Sequence, residues 1–415
     1  MKKVLFWMVL LICMLGSAYA EYIVFCDENI DMEETQVVFS YHFDDDETVC
    51  DLSPLASLKN LEMVCLEAMN VKDISPLSGL TKIRELDLML NFVSDISPLV
   101  NLTEIEYLDV SANQIEDISP LAAMTKMKKL YLDGNFVSDI SPLKGMHELQ
   151  ELNCSNNCIS DLSPFAELNS LVYLDVSNQL LCLDEEALVF VPCLSNVDAV
   201  QNLCNLEYLE VSDNAISGFP SLENLVHLKT LGASRNEITD ISGLAMLLQI
   251  ETIALNDNQI KDVSPLGSLK SLHFLRLDNN LIEDIEPLVS LPALEHLYLD
   301  NNQISDAAPL ISCTSLKTLS LRDNQIEDFS FLASISTLQE LYIDNNPISD
   351  LSFITSLSEL RVLSLNGIPL TDYSFLKELK KLETLYVEDC KLTKEDLQII
   401  ESWLPNCEIV KKRLF

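Results

Sequence analysis

An asparagine returns every 22 residues along most of this chain, at Asn91, Asn113, Asn135 and Asn157, and again from Asn214 through Asn236, Asn258, Asn280, Asn302 and Asn324 to Asn346. Its neighbours return with it. The stretch Leu108–Leu121, LDVSANQIEDISPL, is the unit, and close variants fill most of the sequence. So short a period excludes a single compact core, because one such unit cannot bury its own apolar face. Stacking solves the problem, since repeats piled in phase share a continuous interior. The predicted fold class is α/β: a solenoid with a curved parallel sheet on its concave face and short 3₁₀ or α turns on its convex face.

Within one repeat, Leu86 and Leu88 alternate with polar neighbours, so they point one way from a short strand and their neighbours the other. Asn91 stands where the chain must leave the sheet. Its amide is expected to bond the backbone of its own turn and of the next repeat, satisfying groups otherwise buried without partners. Val93 and Ile96 return to the core, with Leu99 and Leu102 behind them. Ser97-Pro98 reads as a helix start with serine as the N-cap, and the pair recurs at Ser75, Ser119, Ser141, Ser163 and Ser264. Asp in the D-I-S-P-L segment, as at Asp95, Asp117 and Asp139, belongs to the turn.

The expected boundaries follow from the pattern: residues 1–20 a signal peptide, 21–58 an N-terminal cap, 59–391 the array and 392–415 a C-terminal cap. Lys2-Lys3, an apolar run from Val4 to Leu15, and Ala18-Tyr19-Ala20 predict export with cleavage after Ala20. No later run is long enough for a transmembrane helix. Tyr22–Phe25 reads as a strand and the charged stretch Asp27–Glu34 as a helical turn. After Gln179, which takes an asparagine position, the next asparagine of the repeat is Asn214, a step of 35 that implies 13 inserted residues near 184–196, expected as a bulging loop or an extra helical turn. Met69, Ile368 and Cys390 fill asparagine positions at the ends of the array. Thr393 is placed to cap a last helix.

The formal charge is −39, from 26 basic and 65 acidic residues, which excludes nucleic acid as a partner. It favours a basic protein ligand. Of 12 cysteines, 11 follow the signal segment. Cys154 and Cys313 stand at core positions, Cys407 at a strand leucine position, Cys26 with Cys50 could staple the cap, and two of Cys182, Cys193 and Cys204 the insert. His42, His147, His227, His273 and His296 fall in different repeats, and neither a metal-ligand spacing nor a catalytic triad nor a phosphate-binding loop appears. The sequence therefore predicts no enzyme, no cofactor and no metal, and a monomer.

The informative positions alternate with the strand leucines and face out of the concave side. In the first half they include Tyr107, Asp109, Tyr131, Asp133, Tyr173, Asp175, Tyr208 and Glu210. In the second they include Phe274, Arg276, Asp278, His296, Tyr298, Asp300, Arg322, Tyr342, Asp344 and Tyr386. Tyrosine with arginine and few aliphatics is the composition of binding hot spots. Thr230, Gly232, Ser234, Thr252, Ala254 and Asn256 form a small neutral stretch between the two groups.

The repeat L-x-x-L-x-L-x-x-N-x-I-x-D-I-S-P-L resembles the leucine-rich repeat of bacterial internalins, from about Leu52 to Cys390. That resemblance implies a secreted or surface-bound protein that binds another protein through its concave face. The cap is short, and neither an immunoglobulin-like domain nor a wall-sorting signal follows the repeats, so host-cell invasion is not implied. Two alternatives stay open: an acidic structural or adhesive surface component working with cations, and a scaffold like the cytosolic phosphatase regulators, whose repeat is similar.

Overall fold

The computed structural model describes residues 22–26, 28–40, 50–184 and 189–411. The expected signal segment, Met1–Ala20, lies outside the described residues. The chain divides into two compact units, residues 1–206 and 207–415.

The first unit opens with β1 (Tyr22–Phe25), β2 (Glu28–Asp31), β3 (Gln36–Ser40) and β4 (Met63–Glu67). Three-residue strands follow: β5 (Glu85–Asp87), β6 (Tyr107–Asp109), β7 (Lys129–Tyr131), β8 (Glu151–Asn153) and β9 (Tyr173–Asp175). β3 to β9 pair in parallel in chain order. The helical turn expected over Asp27–Glu34 is instead β2, antiparallel to β1, because Ile30 faces Ile23 and both are buried; Asp27 itself lies outside the described residues. The insert expected near 184–196 as a loop or helical turn is instead a hairpin that starts earlier, β10 (Leu180–Asp184) with β11 (Val189–Pro192).

The second unit continues the pattern with β12 (Tyr208–Glu210), β13 (Thr230–Gly232), β14 (Thr252–Ala254), β15 (Phe274–Arg276) and β16 (His296–Tyr298). It closes with β17 (Thr318–Ser320), β18 (Glu340–Tyr342), β19 (Val362–Ser364), β20 (Thr384–Tyr386), α1 (Lys394–Trp403) and β21 (Glu408–Val410). Neighbours pair in parallel with one unchanging register. Thr393 caps α1 as expected: its hydroxyl accepts the Asp396 N–H at 3.2 Å, and the Asp396 carboxylate accepts the Thr393 N–H at 2.8 Å.

Seven 3₁₀ turns lie opposite the strands in each unit, among the described residues. Their start differs from the expected one. Ile96 holds the cap position without a side-chain bond, and Ser97 and Pro98 are the first two helical residues. The capping acceptor is Asp95, whose Oδ1 takes the Ser97 N–H at 2.8 Å, and the same bond recurs from Asp139, Asp262 and Asp350. Ser97 lies inside the turn and its hydroxyl cannot accept its own N–H, so the carboxylate two residues ahead takes it and the repeated acidity is built into the turns.

Each asparagine is buried and ties its own turn to the preceding repeat, not the following one. Asn113 Nδ2 donates to Val110 O at 3.0 Å, Ser111 O at 3.1 Å and Leu88 O at 2.9 Å, while its Oδ1 accepts the Val93 N–H at 2.9 Å. Gln179 keeps the scheme, reaching Cys154 O at 2.8 Å and accepting from Ile159 N–H at 2.9 Å. So does Cys390, whose thiol lies 3.1 Å from Leu365 O. The residue before this position is left-handed in nearly every repeat (Asp257, Asn279, Asn301, Asp323 and Asn345 among them), a conformation that Asn and Asp tolerate better than most residues.

Cys154 and Cys313 are fully buried at core positions, as expected. Cys407 does not take a strand leucine's place: Ile409 is the residue paired with Leu385, and Cys407 precedes the strand, half-buried. A hydrogen bond with Cys26 lowers the Cys50 thiol pKa against its burial, so the expected N-terminal pair is adjacent as two thiols. In the insert, Cys193 sits by the previous repeat, with its N–H on Gln179 O at 2.9 Å and its thiol 3.4 Å from Ile159 O, while Cys204 is exposed. The Cys182 side chain lies outside the described residues.

Replacing Asn302 by Ala strips the acceptor from Ile282 N–H and the donor from Leu277 O and Leu299 O, all at 3.0 Å inside the array. A loss of about 2–4 kcal/mol is expected, from buried polar groups left unpaired. Urea unfolding checks it, and a change below about 0.5 kcal/mol would remove the ladder from the account of stability.

Candidate interaction surface

In the second unit the registers fix one outward row: Arg276, Tyr298, Ser320, Tyr342, Ser364 and Tyr386, on six successive strands. Beside it, on the same strands, run Phe274, His296, Thr318, Glu340, Val362 and Thr384. Just past the strand ends lie Asp278, Asp300, Arg322, Asp344 and Asn366. The tyrosines are half-buried, whereas Ser320 and Ser364 are 1% and 0% exposed, so the serines between the tyrosines are covered and bonded to Asp300 and Asn366. A concavity of about 820 Å³ opens here, bounded by Arg276, Tyr298, Asp300, Arg322, Tyr342 and Tyr386. Another, about 480 Å³, lies among the turns, where Asp350 and Asp372 already accept the Ser352 and Ser374 N–H groups at 2.8 Å.

The acids of this surface are not free. Asp300 Oδ1 accepts the Arg322 N–H at 2.8 Å and the Ser320 hydroxyl, and Asp344 Oδ1 accepts the Asn366 N–H at 3.0 Å. Arg276 Nε donates to Asp278 Oδ2 at 3.0 Å. The Arg322 guanidinium lies 4.3 Å from the centre of the Tyr342 ring, with Nε 3.1 Å from Asp344 Oδ2. That last contact lacks an aligned N–H···O bond and is a charge contact only. Burial pushes the Asp300 carboxyl up to about 6; bonds from Ser320 and Arg322 oppose the shift, and Asp278 adds to it. Burial also raises Tyr298 and Tyr342. Phe274 completes an aromatic group, 5.6 Å from Tyr298 and 6.1 Å from His296 between ring centres.

The first unit arranges its residues differently. Asp109, Tyr131, Asn153 and Asp175 share a row, and Tyr107 and Tyr173 lie in the row beside it. The Tyr107 and Tyr131 rings touch, with centres 5.7 Å apart, and the Tyr131 hydroxyl donates to Glu151 at 2.6 Å. Asp109 and Asp175 each accept their own turn's serine N–H at 2.9 Å, and burial raises both carboxyls, as it does that of Asp133. Tyr208 and Glu210 stand at the start of the second unit, apart from the other residues named there, and Glu210 accepts the Ser212 N–H at 2.9 Å.

Exposure of all these side chains was the expectation, and Asp109, Asp278 and Asp344 depart from it, at 9%, 5% and 1%. They serve backbone N–H groups or a neighbouring arginine, which a carboxylate held at arm's length cannot do. Sequence reasoning passed over Ser320 and Ser364, although their alternation with tyrosine is readable once the columns are aligned. It also passed over Phe92 and Phe136, 48% and 55% exposed, each directly after a ladder asparagine. Among the described residues, no group of three or more His, Cys, Asp or Glu is placed to hold a metal ion.

The family pattern described as leucine rich repeats (2 copies) matches residues 103–145, 147–186, 204–246, 249–290, 292–334 and 336–378. The chain is a leucine-rich repeat protein. Proteins of this family are generally non-enzymatic binding scaffolds, typically engaged in protein–protein interaction. This leucine-rich repeat protein is similar to an internalin of Listeria monocytogenes, at 28% identity and a TM-score of 0.64, over 81% of this chain and 89% of that one. It is also similar to a leucine-rich repeat protein of Leptospira interrogans, at 23% identity and a TM-score of 0.76, over 86% and 91%. A plant peptide hormone receptor shares the fold at 16% identity and a TM-score of 0.60, over 90% and 67%. The internalin-like character of the repeat is thus found in both sequence and structure. No curated protein sequence matches the chain. No helix among the described residues is long and apolar enough to cross a membrane.

A carboxyl raised on folding holds its extra proton in the native state between pH ~4 and about 6. Stability from Asp300 therefore falls as pH rises through that window. Relative to Asp300→Asn, the natural protein should lose up to about 3 kcal/mol between pH 4 and 6.5. Urea unfolding across that range tests it, and a difference independent of pH contradicts the burial argument.

Proposed function

We propose that this leucine-rich repeat protein is an exported recognition module that holds a protein partner on the outward sheet face of its second unit. The observation that carries the reading is the row of half-buried tyrosines, Tyr298 against Phe274 and Tyr342 against Arg322, opening on a concavity of about 820 Å³. Rigid aromatics and a stacked arginine offer large contact area at small entropic cost. Basic residues elsewhere are largely spoken for: Lys126, Lys229, Lys317 and Lys381 each pair with a glutamate of the preceding repeat, at 2.6–2.7 Å. The field left over is acidic, and the partner is accordingly basic. In the first unit, Tyr107, Tyr131, Tyr173 and their acids form a smaller aromatic–acidic group that serves the same partner or a second one.

Changing Tyr298, Tyr342 and Tyr386 together to Ala should weaken partner binding at least tenfold, about 1.4 kcal/mol or more, with circular dichroism unchanged. Capture of the partner by the chain beginning at Glu21, in low and high salt, supplies the readout. Retained affinity in the triple variant places recognition elsewhere. Export is tested separately, by sequencing the amino end of the protein recovered outside the cell; a chain still beginning at Met1 contradicts it.

A further inference from the structure

The insert of the first unit enters the array between two cysteines. Cys158 directly follows Asn157, a place held by Phe92, Gln114 and Phe136 in the three coils before it, so the repeat itself does not call for a thiol there. Cys193 stands 35 residues later, and three observations give it the same place in the next coil. The 3₁₀ turn Ser163–Glu167 begins five residues after Cys158, and the turn Asp198–Asn202 five residues after Cys193. Asp161 Oδ1 accepts the Ser163 N–H at 2.8 Å, and Asn196 Oδ1 accepts the Asp198 N–H at 2.7 Å. Burial follows one pattern over residues 158–168 and 193–203. Coils bonded in parallel lie ~4.8 Å apart, inside the ~4.4–6.8 Å between Cα atoms that a disulfide spans.

The contacts of Cys193 agree with that placement. In a regular coil the N–H after the ladder position reaches back one coil, as Cys158 N–H reaches Val137 O at 2.9 Å. The returning hairpin changes this at Cys193. Its N–H bonds Gln179 O at 2.9 Å, and its thiol lies 3.4 Å from Ile159 O, the acceptor that a regular N–H would use. The sulfur is thereby laid against the residue that follows Cys158. Burial pushes the Cys193 thiol up, and the nearby Cys158 adds to the shift. Both cysteines are half-buried, within reach of a small oxidant. The other cysteines of the insert are placed worse. Cys182 is in register with Phe190, three residues short of Cys193 and so ~10 Å away along the strand. Cys204 lies exposed beyond the 3₁₀ turn of its coil. Among the described residues no group of three His, Cys, Asp or Glu is placed to hold a metal ion, so oxidation is the chemistry left to this pair.

We infer that Cys158 and Cys193 are joined by a disulfide in the exported protein, fastening the base of the β10–β11 hairpin to the coil before it. Two S–H bonds break and one S–S bond forms. The two electrons and two protons pass to an external disulfide, oxidised glutathione or an oxidised protein dithiol, which leaves as two thiols. The bond closes a loop of 35 residues and so restricts the unfolded chain where extra residues interrupt the ladder. It replaces the pairing within the insert that sequence alone suggested. The inference rests on the export reading given above, since such bonds persist in oxidising compartments.

The test maps disulfides in protein recovered outside the cell, and in the mature chain reduced, purified and re-oxidised in glutathione buffer. Free thiols are alkylated first, and an unreduced digest is read by mass spectrometry. A linked pair of peptides carrying Cys158 and Cys193, lost on reduction, is expected in both samples. The thermal midpoint of the oxidised natural protein should exceed that of Cys158→Ser by about 3–6 °C, and the gap should close to about 1 °C or less in reductant. Lost packing alone would keep the gap in reductant. Alkylation of both cysteines in protein whose amino end is Glu21, or linkage of Cys193 to Cys182 or Cys204, would overturn the inference and leave export standing. A chain retained in the cell from Met1 that still forms the bond in glutathione would end the export reading, while the pairing of the two cysteines stands.

Discussion

A buried asparagine amide bonded to the carbonyls of two successive turns is the constraint on which the rest depends. From β5 to β9 and from β12 to β21 the strands are three residues long, and the outer turns run to five at most, so neither is stable alone. What holds them is the leucine column on one side and the amide column on the other, each side chain filling a place prepared by the coil before it. Once that geometry repeats, the parallel sheet and its single register follow, and every third-strand comparison becomes a comparison of equivalent positions.

That regularity is why so much was legible. The spacing of Asn214 to Asn346 gave the strands, the leucines gave the core, and D-I-S-P-L marked the outer turns. Departures arise where local composition is compatible with a second arrangement. Ser97 has the composition of a cap, but Asp95 is better placed to do the work. Cys407 resembled a core residue by its apolarity, whereas the registered residue is Ile409, because the last helix resets the phase. The stretch Asp27–Glu34 carries charge that suggests a helix, yet Ile30 alone decides its alternation as a strand.

The surface was harder to read, since sequence tells which residues face outward and not how far they are covered. Asp109, Asp278 and Asp344 belong to the right columns and are nonetheless consumed by backbone N–H groups and an arginine. The tyrosines are what remains available. In the second unit Tyr298, Tyr342 and Tyr386 stand on every other strand with a buried serine between, while in the first unit the Tyr107 and Tyr131 rings lean together.

The direction of the amide ladder carries one more consequence. Val93 finds its acceptor in Asn113, Ile282 in Asn302 and Ile304 in Asn324, so each of these coils is completed by a side chain one repeat later in the sequence. In a chain made amino end first, the newest coil therefore stays unfinished until the next has been added. At the last position of the ladder the Cys390 thiol takes the Leu365 carbonyl, and the Leu370 N–H turns to the backbone carbonyl of Cys390, so the end is closed without an amide.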